Sequence, residues 1–302
     1  MSQEQLNKSS PIVGSTVIID SDILDIVNES IKNAEKHEWL YHCTNINNLF
    51  NIINSREFWL RNLKDVNDKV EYKRIDVSSY INSYFVACFT YADNISESHW
   101  EEYGNLENGI LFSVKKDWFS RNAIFMDKSG DKFKDESYCI FSCDKDACEY
   151  LQHHRYDSLE NTQPFYIKNK KFYQIKYDND LVKNMANNSV WSVGDIDIEG
   201  VAITPEIVGI IKRESGICER EGQTPYVKDW TIEKEVRIKV CIKKFGNDTL
   251  IPYFPWIAVP LNDNAFNELK IRFAPKMPKE KQKEYKEQLE SRLGIEIECL
   301  ND

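Results

Sequence analysis

Apolar and polar positions along this chain change period several times, and each change predicts an element. Ile23, Ile26, Val27 and Ile31 fall on one face of a helical repeat, so a helix is expected after Ser21-Asp22, with Asp22 capping its free amides. The stretch "WLYHC", Trp39 to Cys43, alternates as a strand, with Leu40 and His42 on one face and Trp39, Tyr41 and Cys43 on the other. Thr44 or Asn45 stands where a cap is needed, because Ile46, Leu49, Phe50 and Ile53 then recur at i, i+3, i+4 and i+7. "REFWL" reads as a second strand. Further strands are predicted at Tyr84–Thr90, Gly109–Val114, Phe172–Tyr177, Val208–Ile211, Thr231–Ile242, Leu250–Val259 and Leu269–Phe273. A closing helix begins near Pro278, carries Tyr285, Leu289 and Leu293 on one stripe and stops at Gly294; "IEIECL" follows as a last strand.

Short strands outnumber helices, and the helices cluster early and late. That pattern fits an α+β fold on a largely antiparallel or mixed sheet. Residues 1–20 read as a loosely held lead-in and residues 21–302 as a single domain, with no internal repeat and no clear linker. The 178–230 segment has little periodicity and reads as loops inserted ahead of the Thr231 strand.

Composition narrows the function classes. Hydrophobic residues at 41% and aromatics at 12% are those of a chain with a core, and a formal net charge of −10 argues against a protein that coats nucleic acid. No apolar run approaches the roughly 20 residues of a membrane span, and "MSQEQLNKSS" is not a signal peptide. The eight cysteines are scattered through the chain, several in apolar segments, as free thiols are in a reducing cytoplasm. Neither GxGxxG nor a P-loop occurs, so dinucleotide-fold and P-loop readings lose their main support.

Candidate chemistry lies at two places. His42 closes a strand at a strand-to-helix corner, where side chains often touch ligands; a neutral imidazole offers one donor and one acceptor without fixed charge. The competing reading is a structural histidine with its nitrogens satisfied locally. From Trp230 to Val240 the alternation continues: Trp230, Ile232, Val236, Ile238 and Val240 point one way, Glu233, Glu235 and Arg237 the other. This charged ladder is either an exposed, self-compensating edge or the wall of a cleft in which Arg237 keeps a glutamate ionised. Two further sets are candidates: Cys139, Cys143, Cys148 and His153 as zinc ligands, and Cys43 with His99 as a nucleophilic pair. The aromatic "IPYFPWIAVPL" reads as a Pro-punctuated edge strand, packed in the core or open to a partner.

"YHCT", Tyr41 to Thr44, resembles the Y-H-G-T strand end of the histidine–tyrosine–glutamate class of ADP-ribosyltransferases. The wider frame resembles an uncharacterised bacterial family, DUF2971, thought to share that fold. The frame runs through Phe58-Trp59-Leu60, Asn67-Asp68, Glu71, Cys88-Phe89-Thr90, Trp100, Tyr103-Gly104, Gly109-Ile110, Trp230, Glu233, Glu235 and Arg237. The resemblance implies split mixed or antiparallel sheets with flanking helices, and NAD bound in bent form between them as substrate. His42 would hold the adenosine-side ribose and the backbone near Cys43 the nicotinamide amide. Glu235 would hold the nicotinamide-ribose 2′-hydroxyl, and Glu233 would orient an acceptor. Trp100 or Tyr103, with Tyr72 as rival, would stack on nicotinamide. Thr44, Thr90, Asn67 and Arg237 complete the expected set, with Cys43 standing where the family has glycine. The implied activity is transfer of ADP-ribose to a protein or nucleic acid, as in a toxin or phage-defence effector. Its alternatives are NAD hydrolysis with water as acceptor, or a binding module without catalysis.

Overall fold

The computed structural model describes residues 20–66, 82–119, 125–126, 137–141, 162–182, 209–218, 226–244 and 253–300. Asn67, Asp68, Glu71 and Tyr72, and the zinc candidates Cys143, Cys148 and His153, lie outside them. In chain order the elements begin with α1 (Asp20–Glu35), β1 (Leu40–Asn45), α2 (Ile46–Ser55) and β2 (Glu57–Asn62). Next come β3 (Tyr84–Thr90), a short turn of helix at Glu97–His99, a π-helical turn at Trp100–Gly104, and β4 (Gly109–Val114). Strands β5 (Phe125–Met126), β6 (Ser137–Phe141), β7 (Thr162–Gln174), β8 (Lys176–Tyr177), β9 (Ile211–Lys212), β10 (Ser215–Cys218) and β11 (Tyr226–Asp229) follow. The chain closes with β12 (Glu235–Lys244), β13 (Trp256–Pro260), β14 (Lys270–Phe273), α3 (Lys279–Leu293) and β15 (Glu298–Cys299).

The architecture is α+β, on mixed and mainly antiparallel sheets. Among the described residues, eleven strands bond into one sheet in the order β15-β14-β4-β1-β3-β12-β7-β6-β5, while β2 also pairs with β3 and carries β13 beyond it. Only the β14–β15 and β6–β7 contacts of this sheet are parallel. The continuous apolar runs "YFVACFT" and "GILFSV" give β3 and β4 the bounds expected of them, because strands covered on both faces need no alternation.

One sheet face carries the main core. Leu40, Phe89, Phe112, Val236 and Ile238 meet Ile46, Leu49 and Ile53 of α2 there, with Leu289 of α3. Asn45 is the residue that caps α2, accepting the Asn48 amide on its side chain at 2.9 Å. Gly294 ends α3 at φ 68°. The opposite face holds a smaller cluster of Tyr41, Cys43, Trp100, Leu111 and Ala274. Helix α1 packs through Val27 against Tyr173, Ile210 and Ile211. It starts at Asp20, so Asp22 lies inside its first turn instead of capping it. No helix among the described residues is long and apolar enough to cross a membrane.

The expected strand from Thr231 is corrected at its start. Asp229 accepts both the amide and the hydroxyl of Thr231, at 2.9 and 2.6 Å, and this turn diverts the chain into a 3-10 segment over Thr231–Glu233. Lys234 then takes a left-handed conformation, φ 46°, and the strand begins only at Glu235. Glu233 therefore does not continue the ladder of Glu235, and Ile232 is exposed.

Candidate active site in the fork of the sheet

Strand β3 is shared by two strands on the same edge. At its C-terminal end Thr90 pairs with Tyr41 of β1; at its N-terminal half Phe85 and Val86 pair with Asn62 and Arg61 of β2. Between those contacts β1 and β2 diverge, because α2 must fit between them in the chain. Alternation along antiparallel ladders fixes which backbone groups face the gap. The Tyr91 amide bonds to Lys234 O across β3 and β12, so Val86, Cys88 and Thr90 face the other way, toward β1 and β2. The Ile46 amide bonds to Asn108 O and the Asn62 amide to Pro255 O, which turns Cys43 and Trp59 toward β3. Pairing stops before either reaches it. The backbone N–H and C=O of Cys43, Trp59 and Cys88 therefore open onto the fork.

A cleft of about 820 Å³ occupies this gap, within the range of small-molecule sites. His42 stands at the point of divergence. Its Nδ1 lies 3.0 Å from the Cys88 carbonyl. A carbonyl only accepts, so Nδ1 carries the proton and Nε2 is the acceptor that remains. Burial among the rings of Phe58, Phe89 and Phe112, at centroid distances of 5.1, 5.6 and 5.5 Å, pushes the imidazole down to about 4 and keeps it neutral. The local structural role and the cleft-facing role are thus both present in one ring: Nδ1 fills the place of a missing strand partner, and the ring lines the cleft.

The carboxylates lie across the sheet. Tyr41, Thr90 and Glu235 are lateral neighbours on β1, β3 and β12, so their side chains share a face. His42, one residue on, belongs to the other face, and the cleft runs through the fork to join the two. Glu235 is buried. The Arg237 Nε donates to its Oε1 at 2.5 Å, and Lys212 Nζ lies 3.2 Å from Oε2. Burial raises the affinity of this carboxyl for a proton, but Arg237, then Lys212, then the Cys88 thiol that donates to it together hold it far below the ordinary carboxylate range. Glu233 takes Tyr103 Oη at 2.5 Å and Lys228 at 2.6 Å on Oε1, and Lys212 at 2.8 Å on Oε2. Burial opposes its ionisation too, and Lys212 and Lys228 prevail over the neighbouring Glu235 charge. Lys228 also pairs with Glu102, and both ammoniums stand over the Trp230 ring, at 4.1 and 4.2 Å from its centroid. The Glu235 amide is directed at the Tyr177 hydroxyl, 3.3 Å away.

Protein-family models, curated proteins and solved structures return no match to this chain.

His42, Cys43, Thr44, Thr90, Tyr103, Glu233, Glu235 and Arg237 all line the cleft. Trp100 does not: it is buried beside Cys43, so of the two aromatic candidates among the described residues Tyr103 is the one that lines the cleft. The Cys43 side chain packs into that cluster. A Cβ built on Gly104 would lie 3.0 Å from the Cys43 Sγ, so the close packing here depends on Gly104 having none. Burial pushes the Cys43 thiol up to about 12, which removes it as a nucleophile at neutral pH. Thr44 is turned to structure, its hydroxyl accepting the Asn48 side chain at 2.9 Å, and Thr90 accepts the Ala92 amide at 3.1 Å. Among the described residues no group of His, Cys, Asp and Glu is placed to hold a metal ion. Sequence reasoning missed Lys212, Lys228, Glu102 and Tyr177. The one visible signal was a lysine ending each of the apolar or aromatic runs "VGIIK" and "YVK".

Proposed function

We propose that the chain is an ADP-ribosyltransferase-like enzyme that binds NAD across the fork, breaks its nicotinamide–ribose bond and passes ADP-ribose to a macromolecular acceptor. The observation that carries this reading is the convergence of His42, from the beginning of the domain, and Glu235, from far along it, on one nucleotide-sized cleft. The dinucleotide lies with its adenosine half on the α2 side, where the His42 Nε2 accepts from a ribose hydroxyl. Its carboxamide meets the strand groups of Cys43 left open by the divergence of β1, and Tyr103 flanks the nicotinamide ring. The glycosidic electron pair leaves with nicotinamide, which is already cationic and needs no proton. Positive charge then grows on the ribose, and the ionised Glu235, itself buried, is the group that stabilises it. The acceptor hydroxyl or amine bonds to the ribose anomeric carbon and gives its proton to Glu233.

Calorimetric titration with NAD, with nicotinamide release followed by chromatography, tests this directly. The expected result is binding and release by the unaltered protein, and binding without release by Glu235→Gln. Labelled NAD and its transfer to protein or nucleic acid distinguish macromolecular acceptors from water. A second reading, a binding module of the same fold, is favoured by one observation: Arg237, Lys212 and Cys88 already engage the Glu235 carboxylate, so a ribose hydroxyl has to compete for it. NAD binding with no release of nicotinamide at any pH selects that reading.

A further inference from the structure

We propose that Lys212 is a positioning residue that clamps Glu233 and Glu235 into one unit and so sets the distance between the cation-stabilising carboxylate and the acceptor-orienting one. The proposal rests on the NAD-cleaving reading for its catalytic consequence, but the clamp itself is a property of the protein alone. Lys228 reaches Glu233 and Arg237 reaches Glu235; Lys212 reaches both, at 2.8 and 3.2 Å. Both bonds are to Oε2 atoms, so the two carboxylates face one another across a single ammonium, at a separation where like charges raise each other's proton affinity.

The fold aims this lysine from a very short element. Strand β9 is Ile211–Lys212 alone, paired in parallel with Lys176 and Tyr177. Buried Ile210 and Ile211 anchor it against α1 and β7, and the Trp230 ring supports the ammonium from 4.1 Å. Lys212 is itself buried, at 4% exposure, which rules out a solvated surface charge. Around the pair stand Arg237, Lys228, Glu102, Tyr103, Tyr177, Cys88 and His99. Of these, Lys228 divides its charge between Glu233 and Glu102, whereas Arg237 binds Glu235 through two nitrogens. Without Lys212, Glu233 is therefore the carboxylate that takes up a proton, and a protonated Glu233 no longer accepts one from an incoming nucleophile.

Lys212→Met and Lys212→Arg test this, with infrared spectra recorded across a pH series on protein without ligand. The Met variant is expected to show a protonated-carboxyl band at neutral pH. That band is absent from the unaltered protein and from the Arg variant, and is lost when Glu233→Gln is added. Should Lys212→Met not fold, Lys212→Gln, which keeps a donor without the charge, makes the same comparison. In transfer of ADP-ribose to the acceptor, the step that uses Glu233, the acidic limb of the Met profile moves up toward neutral pH, and Lys212→Arg restores it. No carboxyl band at neutral pH in the uncharged variants, or an equal band in the unaltered protein, overturns the clamp. If the unaltered protein releases no nicotinamide, the NAD-cleaving reading fails while the infrared result still decides Lys212.

Discussion

Replacing Arg237 by methionine removes the cation that holds Glu235 most tightly and leaves a side chain of similar length. In the folded protein Arg237 donates through Nε to Glu235 at 2.5 Å, through a terminal nitrogen at 3.3 Å, and through the other to Gly209 O at 3.0 Å. Opposite charges about 4 Å apart at an effective dielectric near 20 attract by about 4 kcal/mol. Breaking one partner from a buried pair costs about 3–5 kcal/mol. A loss of about 3–5 kcal/mol is therefore expected at neutral pH, set against a typical total of roughly 5–15 kcal/mol. Urea unfolding followed by tryptophan fluorescence measures it. The pH dependence carries a sign. In the unaltered protein the Glu235 carboxyl lies below its ordinary value of 4.5, so its contribution is complete above that value and lost as pH falls through the folded one. In Arg237→Met burial outweighs the remaining Lys212 contact and the carboxyl rises above 4.5; stability is then greatest below that value and falls as pH rises. The two proteins therefore draw together on going from about pH 7 to about pH 5. Adding Glu235→Leu to Arg237→Met removes the stranded charge and recovers much of the loss. A single-variant loss below about 1 kcal/mol, or a double variant no more stable than the single, refutes the account of Arg237 as the principal partner of Glu235.

His42→Phe fits the aromatic surroundings but leaves the Cys88 carbonyl without its donor, an expected loss of about 1–3 kcal/mol in the same unfolding assay. The unaltered protein loses stability as pH falls from the ordinary histidine value of 6.5 toward about 4, because the unfolded imidazole takes a proton that the folded one refuses; the Phe variant lacks that slope. Gly209→Ala places an L-residue at φ +74° with its Cβ 2.9 Å from a Leu63 methyl, and is expected to cost about 1–2 kcal/mol by thermal or urea unfolding. Cys88 and Cys299 are both exposed, but the surrounding protein and the Glu235 charge push the Cys88 thiol well above the ordinary range, further than that of Cys299, so mass spectrometry should find Cys88 alkylated by iodoacetamide far more slowly.

Elements with one dominant period were legible in the sequence. Strands β3 and β4 are unbroken apolar runs, and α2 and α3 carry regular stripes closed by a left-handed residue, so local pattern and tertiary environment agree there. The start of β12 was not legible, because "WTIEKEV" keeps a period of two through a turn. The Asp229–Thr231 contacts and the left-handed Lys234 break the strand without disturbing the alternation. Among the candidate residues, His42 stood out as a polar group between Tyr41 and Cys43 in a strand, and Glu233 and Glu235 as members of a charged ladder in a segment of period two. Lys212 and Lys228 did not, because they sit on strands of two and four residues with no period to read. Their roles exist only once β9 docks on β8 and β11 on β10, and no local signal encodes that docking.

The fork accounts for why these residues form a cleft and not a continuous sheet. Had β1 kept its register with β3, Cys43 would have met Cys88 two residues beyond the Tyr41–Thr90 pair; had β2 kept its own, Trp59 would have met the same Cys88 beyond Arg61–Val86. Both strands claim one ladder position, and neither obtains it. Backbone amides and carbonyls removed from water without partners cost about 1–3 kcal/mol each, so the position cannot be left bare in a closed core. His42 relieves the Cys88 carbonyl, and open space admits solvent or a ligand to the other groups. A planar amide, which carries one donor face and one acceptor face as a strand does, is the small group best matched to such an interrupted ladder. Nicotinamide alone should therefore bind in the fork, and N-methylation of its carboxamide should weaken binding by about tenfold or more, at about 1.4 kcal/mol per tenfold. Equal affinity for the amide and its N-methylated form, measured by calorimetry, removes the open ladder from the recognition mechanism.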